Sequence, residues 1–267
     1  MDTSKLKQLA QFQFGENVGR QWYLLAIAVL TAANVPHDIP RVYTLELLKS
    51  LPQYKEKDLQ WLVERVELLL NDRALLNDTF QVVGPEQREI VDKVNETVLK
   101  VSAIVGMPRS INGLKHVKLS TPESLLIYVN ATSRDNCYIS EEQVKRQEMG
   151  TQHNLQRGLN HWESTYGKVS QRIIQDLNTF YPDLWQFILK NIYGDILSYE
   201  SIIDRALTSL VVISSLIPMD VNPQLRGHLR SALNFGWNIA TVNQVRQFAI
   251  LISQWYGIQW QSEVTKL

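Results

Sequence analysis

The sequence contains a single cysteine, Cys137, among its 267 residues. One thiol can form neither an intramolecular disulfide nor the Cys-x-x-Cys pair of a dithiol redox centre. Cys137 lies in the polar stretch 132–138, where we interpret it as an incidental reduced thiol. Disulfide stabilisation and dithiol redox chemistry within one chain are therefore excluded.

An excess of charge of one sign is also missing, because 27 basic and 27 acidic residues give a net charge of zero. Proteins that bind nucleic acid or anionic membranes through charge carry a basic surplus, so we expect neither partner. The longest apolar run, residues 22–35, is interrupted by Thr31 and Asn34. It is too short to span a bilayer, so we predict a buried core helix and no membrane insertion. The first residues show no apolar stretch of the signal-peptide type.

Apolar residues recur at helical spacing along most of the chain, and strand-like alternation is scarce. The clearest stripes are Leu59, Leu62, Val63, Val66 and Leu69; Val94, Val98, Val101 and Val105; and Trp162, Tyr166, Val169, Ile173 and Leu177. We expect the last stripe to form one long amphipathic helix. With 45% hydrophobic residues, the chain is able to bury a sizeable core. The sequence therefore predicts an all-α protein.

Glycine and proline mark several of the expected helix boundaries. We predict helix starts at Gly84-Pro85, Ser120-Thr-Pro122 and Tyr181-Pro182, and helix ends at Gly106, Tyr193-Gly194 and Asn234-Phe-Gly236. A further apolar helix is expected to follow Gly236 and to end near Trp255.

Two distant segments, residues 26–48 and 209–231, resemble each other. Each shows an apolar helix, a turn containing proline and aspartate, a second proline and another helix. Two copies of one helical unit can bury each other's apolar faces. We therefore predict a degenerate N-terminal repeat over residues 1–132, a linker over 133–150 and a C-terminal repeat over 151–267, with one shared core.

The most informative stretch is residues 223–257. It reads Pro223-Gln-Leu-Arg-Gly-His228, then Ala232-Leu-Asn-Phe-Gly236, then an apolar helix to Trp255-Tyr-Gly257. This stretch resembles the core helical hairpin of the carboxymuconolactone decarboxylase and alkyl hydroperoxidase D family. The resemblance covers most of the chain, and the layout is similar to the two-repeat fungal members. It implies a two-repeat alkyl hydroperoxidase D-like helical fold and a homo-oligomer.

The resemblance places His228 where the family keeps a catalytic or ligand-facing histidine. The hydroperoxidase branch needs a Cys-x-x-Cys pair, because the nucleophile is a thiolate. No cysteine lies near His228, so thiol peroxidase activity is not expected. The decarboxylase branch needs no cysteine. An imidazole titrates near neutral pH, so His228 is the candidate acid/base residue.

Four residues are candidates for binding a substrate beside His228. On a helix, Gln224 and Ser231 share its face, at spacings of four and three. Tyr193 and Arg226 carry further polar groups. The five histidines lack metal-ligand spacing, so we predict neither a metal site nor a cofactor.

Two functions follow from the resemblance. The first is a decarboxylase-like lyase that acts on a small organic acid, lactone or acyl compound, with His228 as acid/base. The second is a catalytically degenerate member that binds a metabolite or a protein partner. It remains open because the stretch 238–244 contains no glutamate to orient the histidine.

The last three residues, Thr265-Lys266-Leu267, resemble the Ser-Lys-Leu address for peroxisomes. Such an address is read by an import receptor as a C-terminal tripeptide. We therefore predict the peroxisomal matrix as the location and the import receptor as a partner, with the cytoplasm as the alternative.

Overall fold

The computed structural model describes residues 1–128 and 150–267. Within these residues the chain forms helices and turns and no strand, which confirms the all-α prediction. Cys137 and nearly all of the predicted linker lie outside the described residues.

The N-terminal half is a succession of helices with short connections. Its helices are α1 (Thr3–Ala10), α2 (Glu16–Gly19), α3 (Trp22–Ala32), α4 (Ile39–Lys49), α5 (Leu59–Asn71), α6 (Arg73–Thr79), α7 (Pro85–Val105), α8 (Met107–Ser120) and α9 (Glu123–Tyr128). Two 3-10 turns, Pro36–Asp38 and Pro52–Tyr54, flank α4. Gly106 ends α7 with a left-handed φ of 84°, as the sequence predicts.

The C-terminal half is also a succession of helices with short connections. Its helices are α10 (Thr151–Tyr166), α11 (Ser170–Phe180), α12 (Pro182–Phe187), α13 (Arg205–Leu216), α14 (Asn222–Asn234) and α15 (Ile239–Trp255). A π-helical segment, Ile188–Leu197, follows α12 directly, and 3-10 turns span Gly167–Val169 and Ile217–Met219.

Two apolar helices, α3 and α13, form the centre of the core. Every residue of α3 is buried, as predicted for the longest apolar run, and so is α13 from Leu207 to Leu216. The two helices pack against each other and against α7. Because one continuous hydrophobic cluster contains residues of both halves, the halves share a core. The boundaries of the two repeats stay a prediction.

The structure corrects two of the predicted helix boundaries. The stripe from Trp162 to Leu177 is not one helix, because Gly167 takes a left-handed φ of 50° and ends α10. Tyr193-Gly194 does not end a helix either, because the π-helical segment continues to Leu197. There the Lys100 ammonium, from α7, holds the last carbonyl groups.

No helix among the described residues is long and apolar enough to cross a membrane.

Candidate functional site

The site is built around His228, which lies on α14. Leu225, Leu229 and Ala232 on the same helix are buried, and α14 packs against α13 and α10. This packing leaves His228 half-buried at the edge of the core. The His228 ring meets the ring of Tyr166 edge-on, with 6.1 Å between centroids.

A second histidine, His161 on α10, lies beside this cluster of rings, although its sequence context predicts no role for it. It is only 6% exposed. Its ring packs against Tyr193 at 5.8 Å and against Phe235 at 5.4 Å between centroids. Its Nδ1 atom is buried and has no hydrogen-bond partner among the described residues. An unpaired buried polar atom is costly, so this nitrogen marks a place where a ligand or water would be stabilised.

The two histidines are linked through two tyrosines. The Tyr193 hydroxyl donates a hydrogen bond to the Tyr166 hydroxyl at 3.2 Å. Trp162 packs on both tyrosine rings, at 4.3 Å from Tyr166 and 4.9 Å from Tyr193. We call His161, Tyr166, Tyr193 and His228 the histidine–tyrosine cluster.

Burial controls the protonation of the cluster. It lowers the pKa of His228 to about 4. The pKa of His161 falls to about 3, mainly because of burial and also because of the nearby positive charges of Lys100 and Arg205. Burial raises the pKa of both tyrosines. All four groups are therefore neutral near pH 7, and a neutral imidazole can accept a proton or donate a hydrogen bond.

The π-helical segment positions Tyr193, and two cations of other helices hold that segment. Lys100 donates hydrogen bonds to the carbonyl oxygens of Leu197 at 2.9 Å and Tyr199 at 2.8 Å. Arg157 donates to the carbonyl oxygen of Gly194 at 2.7 Å. Charge-assisted bonds of this kind are stronger than neutral ones, so the segment is fixed from two sides.

A close backbone contact also fixes the segment. The α-carbons of α10 and of the π-helical segment approach so closely at Gly158 that an added Cβ would lie 2.6 Å from the backbone nitrogen of Gly194. Only glycine fits at this position of α10. The contact sets the distance between His161 and Tyr193, which lie close to it on the two elements.

The predicted substrate-binding residues have different surroundings. Tyr193 belongs to the cluster, whereas Gln224 is exposed. Ser231 is buried, and its hydroxyl donates to the His228 carbonyl oxygen at 3.0 Å. Arg226 is exposed, with Nε 3.4 Å from Thr265 Oγ1. Tyr193 is thus connected to His228 through Tyr166, and the substrate roles of all four stay predictions.

Catalytic histidines are often accompanied by an orienting carboxylate or by a metal ion. Among residues 1–128 and 150–267, no carboxylate forms an ion pair with His228. The same residues contain no group of three histidine, cysteine, aspartate or glutamate side chains able to hold a metal ion.

The C-terminal tail lies along α14 and α15. Arg246 donates hydrogen bonds to the carbonyl oxygens of Val264 and Thr265, the latter at 2.7 Å. Asn222 accepts a hydrogen bond from the Thr265 backbone nitrogen at 2.8 Å. Lys266 and Leu267 are exposed beyond these contacts. The tail is therefore held at its base and open at its last two residues.

Comparison with known proteins gives two similar yeast proteins, both named Peroxisomal protein 2. The protein of Saccharomyces cerevisiae is 37% identical over 281 residues, which cover 100% of this chain and 99% of the relative. The chain belongs to the Peroxisomal protein 2 family. The protein of Schizosaccharomyces pombe is 33% identical over 194 residues, which cover 73% of this chain and 83% of the relative. No protein-family profile and no solved structure matches the chain.

The family decides the location. Because the match to Saccharomyces cerevisiae Peroxisomal protein 2 spans the full chain, this protein is peroxisomal, as the sequence predicts. The resemblance to the carboxymuconolactone decarboxylase and alkyl hydroperoxidase D family stays a prediction.

Proposed function

We propose that this peroxisomal protein acts on a small organic acid, lactone or acyl compound at the histidine–tyrosine cluster, with His228 as the acid/base residue. The observation that carries the proposal is the unpaired Nδ1 atom of His161, buried beside aromatic rings. A ligand carbonyl or carboxyl group would complete its hydrogen bonding. The aromatic rings supply the apolar surroundings that small-molecule sites use.

The electrostatics of the cluster support an acidic or carbonyl ligand. The pKa of His161 is lowered mainly by burial and also by the positive charges of Lys100 and Arg205, so these two cations act at that position. A positive potential favours a carboxylate or the oxygen of a polarised carbonyl. With its pKa lowered to about 4, His228 is unprotonated near neutral pH and can accept a proton, although it is a weaker base than a free imidazole.

The test is a ligand-dependent thermal-stability screen of the purified full-length chain. The panel contains lactones, keto acids, aromatic acids and acyl-coenzyme A esters. A compound that raises the melting temperature of the wild type and of His153→Ala, but not of His228→Ala, supports the proposal. His153 is the matched control because it is an exposed histidine on α10. Turnover of that compound that is unchanged in His228→Ala would refute the acid/base role.

A second function is a catalytically inactive protein that binds a metabolite or a protein partner. The observation in its favour is that no carboxylate among the described residues pairs with His228 to orient it. A base without an orienting partner is weaker. Stabilisation by a ligand without turnover would favour this second function.

We also infer that Thr265-Lys266-Leu267 is the import address. The exposure of Lys266 and Leu267 supports this role, because a receptor must reach them. A fluorescent protein fused ahead of residue 1 should enter peroxisomes, and deletion of Leu267 should leave it in the cytosol. Import that persists after deletion would show that another signal or a partner carries the protein in.

A further inference from the structure

The proposed import address, Thr265-Lys266-Leu267, is bound at its first residue by the rest of the chain. The backbone nitrogen of Thr265 donates a hydrogen bond to Asn222 Oδ1 at 2.8 Å, and its carbonyl oxygen accepts one from Arg246 Nε at 2.7 Å. Its hydroxyl accepts a longer hydrogen bond from Arg226 Nε, at 3.4 Å. The other two residues of the address are exposed. All three polar groups of Thr265 are therefore engaged within the folded chain.

The residues just before the address are held as well. Val264 is only 5% exposed and belongs to the hydrophobic core, and its carbonyl oxygen accepts a hydrogen bond from Arg246. The side-chain amide of Asn222 donates to Ser262 Oγ at 2.9 Å and to the Glu263 carbonyl oxygen at 3.1 Å. Thr265 is thus not a loosely attached end, because a buried residue precedes it and Arg246 binds both.

Three side chains from two helices form the surface that binds the tail. We call Asn222, Arg226 and Arg246 the tail cradle. Asn222 and Arg226 belong to α14, and Arg246 belongs to α15. Their neighbours Leu225 and Val245 are buried, so both helices are anchored in the core at this place. Because the cradle is part of the folded core, its backbone keeps its position when the tail leaves it.

An import receptor needs the same residue that the tail cradle binds. A receptor that reads a C-terminal tripeptide contacts each of its residues, together with the main chain and the terminal carboxylate. While the cradle binds Thr265, its N–H has no second hydrogen bond to donate, and the cradle side chains occupy one side of the residue. When only a fraction of the molecules is competent to bind, the apparent affinity falls in proportion to that fraction. The cradle and the receptor therefore compete for Thr265.

From this geometry we infer that the tail cradle masks the import address in the folded chain, so that the receptor binds only molecules whose Thr265 has left the cradle. This masking rests on the proposed role of Thr265-Lys266-Leu267 as the address. Lys266 and Leu267 stay exposed in the masked state, so the release of Thr265 decides whether all three residues can be read. A chain that has not yet folded has no cradle and presents the address freely. Import is therefore expected to depend on the equilibrium between the bound and the released tail.

The first experiment uses isothermal titration calorimetry with the purified Saccharomyces cerevisiae receptor for C-terminal peroxisomal addresses. It compares the affinity of this receptor for the full-length chain and for a synthetic peptide of residues 258–267. The peptide should bind more tightly by about tenfold or more, because charge-assisted hydrogen bonds no longer hold Thr265. Arg246→Ala should raise the affinity of the full-length chain by about tenfold, and Asn222→Ala by a smaller factor. Arg230→Ala is the matched control. Arg230 is exposed on α14 outside the cradle, so its variant should bind like the wild type.

The second experiment leaves the fold unchanged and adds a second address outside the cradle. The full-length chain is extended after Leu267 by a flexible spacer of about six glycine and serine residues and a second Thr-Lys-Leu. This variant should bind the receptor as tightly as the peptide does, because the native Thr265 still occupies the cradle and the added address is free. A chain that carries the spacer alone should not bind, since it no longer ends in the address.

Three results would overturn the masking, and they can be told apart. Equal affinities of the peptide, the wild-type chain and the chain with the second address would leave the address itself intact and refute only the masking. So would an Arg246→Ala variant whose Thr265 amide exchanges faster with solvent while its affinity for the receptor is unchanged. A peptide that does not bind would refute the address, and the masking with it. Far-UV circular dichroism shows whether each variant keeps its helices.

Discussion

The Lys100 ammonium, on α7, donates a hydrogen bond to the carbonyl oxygen of Leu197, at 2.9 Å. The two residues are 97 positions apart in the sequence. Both Lys100 and its neighbour Glu96 have fully buried side chains, with 3.6 Å between Nζ and Oε1. This lysine joins the N-terminal half to the end of the π-helical segment that carries Tyr193. A buried charge of this kind is expected to support the candidate site from the opposite half of the chain.

The substitution Lys100→Met should lower the free energy of unfolding by about 3–5 kcal/mol, because it removes one partner of a buried ion pair. It also removes the Lys100 hydrogen bonds to the carbonyl groups of Ile196, Leu197 and Tyr199. Urea denaturation followed by circular dichroism measures the change. Lys93→Met is the matched control, since Lys93 pairs with an exposed Glu89 on the same helix. Its effect should stay below about 0.5 kcal/mol, and equal effects of the two substitutions would contradict the prediction.

The substitution Gly158→Ala should destabilise the protein by about 3 kcal/mol, because the new Cβ would meet backbone atoms that cannot move aside. Gly227→Ala provides the contrast. A Cβ there would lie 3.7 Å from the Tyr166 ring, an ordinary contact, and alanine favours the helix by about 0.5–1 kcal/mol. Thermal denaturation should therefore give opposite shifts. A Gly158→Ala variant as stable as the wild type would refute the close approach.

The stability of the protein should fall as the pH drops below 6.5. Burial lowers the pKa of His228 to about 4, whereas an unfolded histidine titrates near 6.5. Between these values the unfolded state binds more protons, so stability is complete above pH 6.5 and is lost toward pH 4. For His228 alone the loss at pH 4 should be about 3 kcal/mol.

His228→Gln should remove this part of the pH dependence, and His153→Gln should retain it, because His153 is exposed. The measurement is the free energy of unfolding from urea denaturation between pH 4 and pH 7, compared between each variant and the wild type. If the free energy of unfolding of His228→Gln changed with pH in the same way as that of the wild type, His228 would be accessible to protons in the folded protein.

The substitution Arg246→Ala should loosen the C-terminal tail without unfolding the core. The guanidinium group holds the carbonyl oxygens of Val264 and Thr265. Hydrogen bonds from charged groups contribute about 1.5–3 kcal/mol, so hydrogen exchange at the Thr265 amide should become about tenfold faster or more. Arg230→Ala, at an exposed position of α14, serves as the control and should leave this exchange rate unchanged.

Most helices could be predicted from the sequence because their signals are local. The stripe Leu62, Val66 and Leu69 is buried on α5, and Gly106 ends α7, as expected. The break at Gly167 was missed for a physical reason. A glycine is tolerated within a helix, so the surrounding apolar spacing continues across it and conceals the change of direction.

The position of His228 in the candidate site could be predicted, and its role stays a prediction. The spacing of Leu225, Leu229 and Ala232 correctly places His228 at the border of the core. His161 and Lys100 were missed because their burial depends on elements far away in the sequence. In the sequence, a histidine and a lysine are expected at the surface. Both are buried here because α10, α7 and the π-helical segment pack around them. The sequence contained one signal of this packing, the glycines Gly158 and Gly194. They lie where α10 and the π-helical segment approach too closely for a larger side chain.

The amino-acid sequence is sufficient to establish that the chain is all-α, where most of its helices begin and end, and that it is a peroxisomal protein. These properties depend on periodicity, on single capping residues and on similarity along the whole chain. Packing between distant segments sets which polar side chains are buried and which aromatic side chains remain exposed. Lys100 and His161 are enclosed, and Phe180 and Phe187 are left outside, because burial depends on contacts between segments that local sequence spacing does not specify.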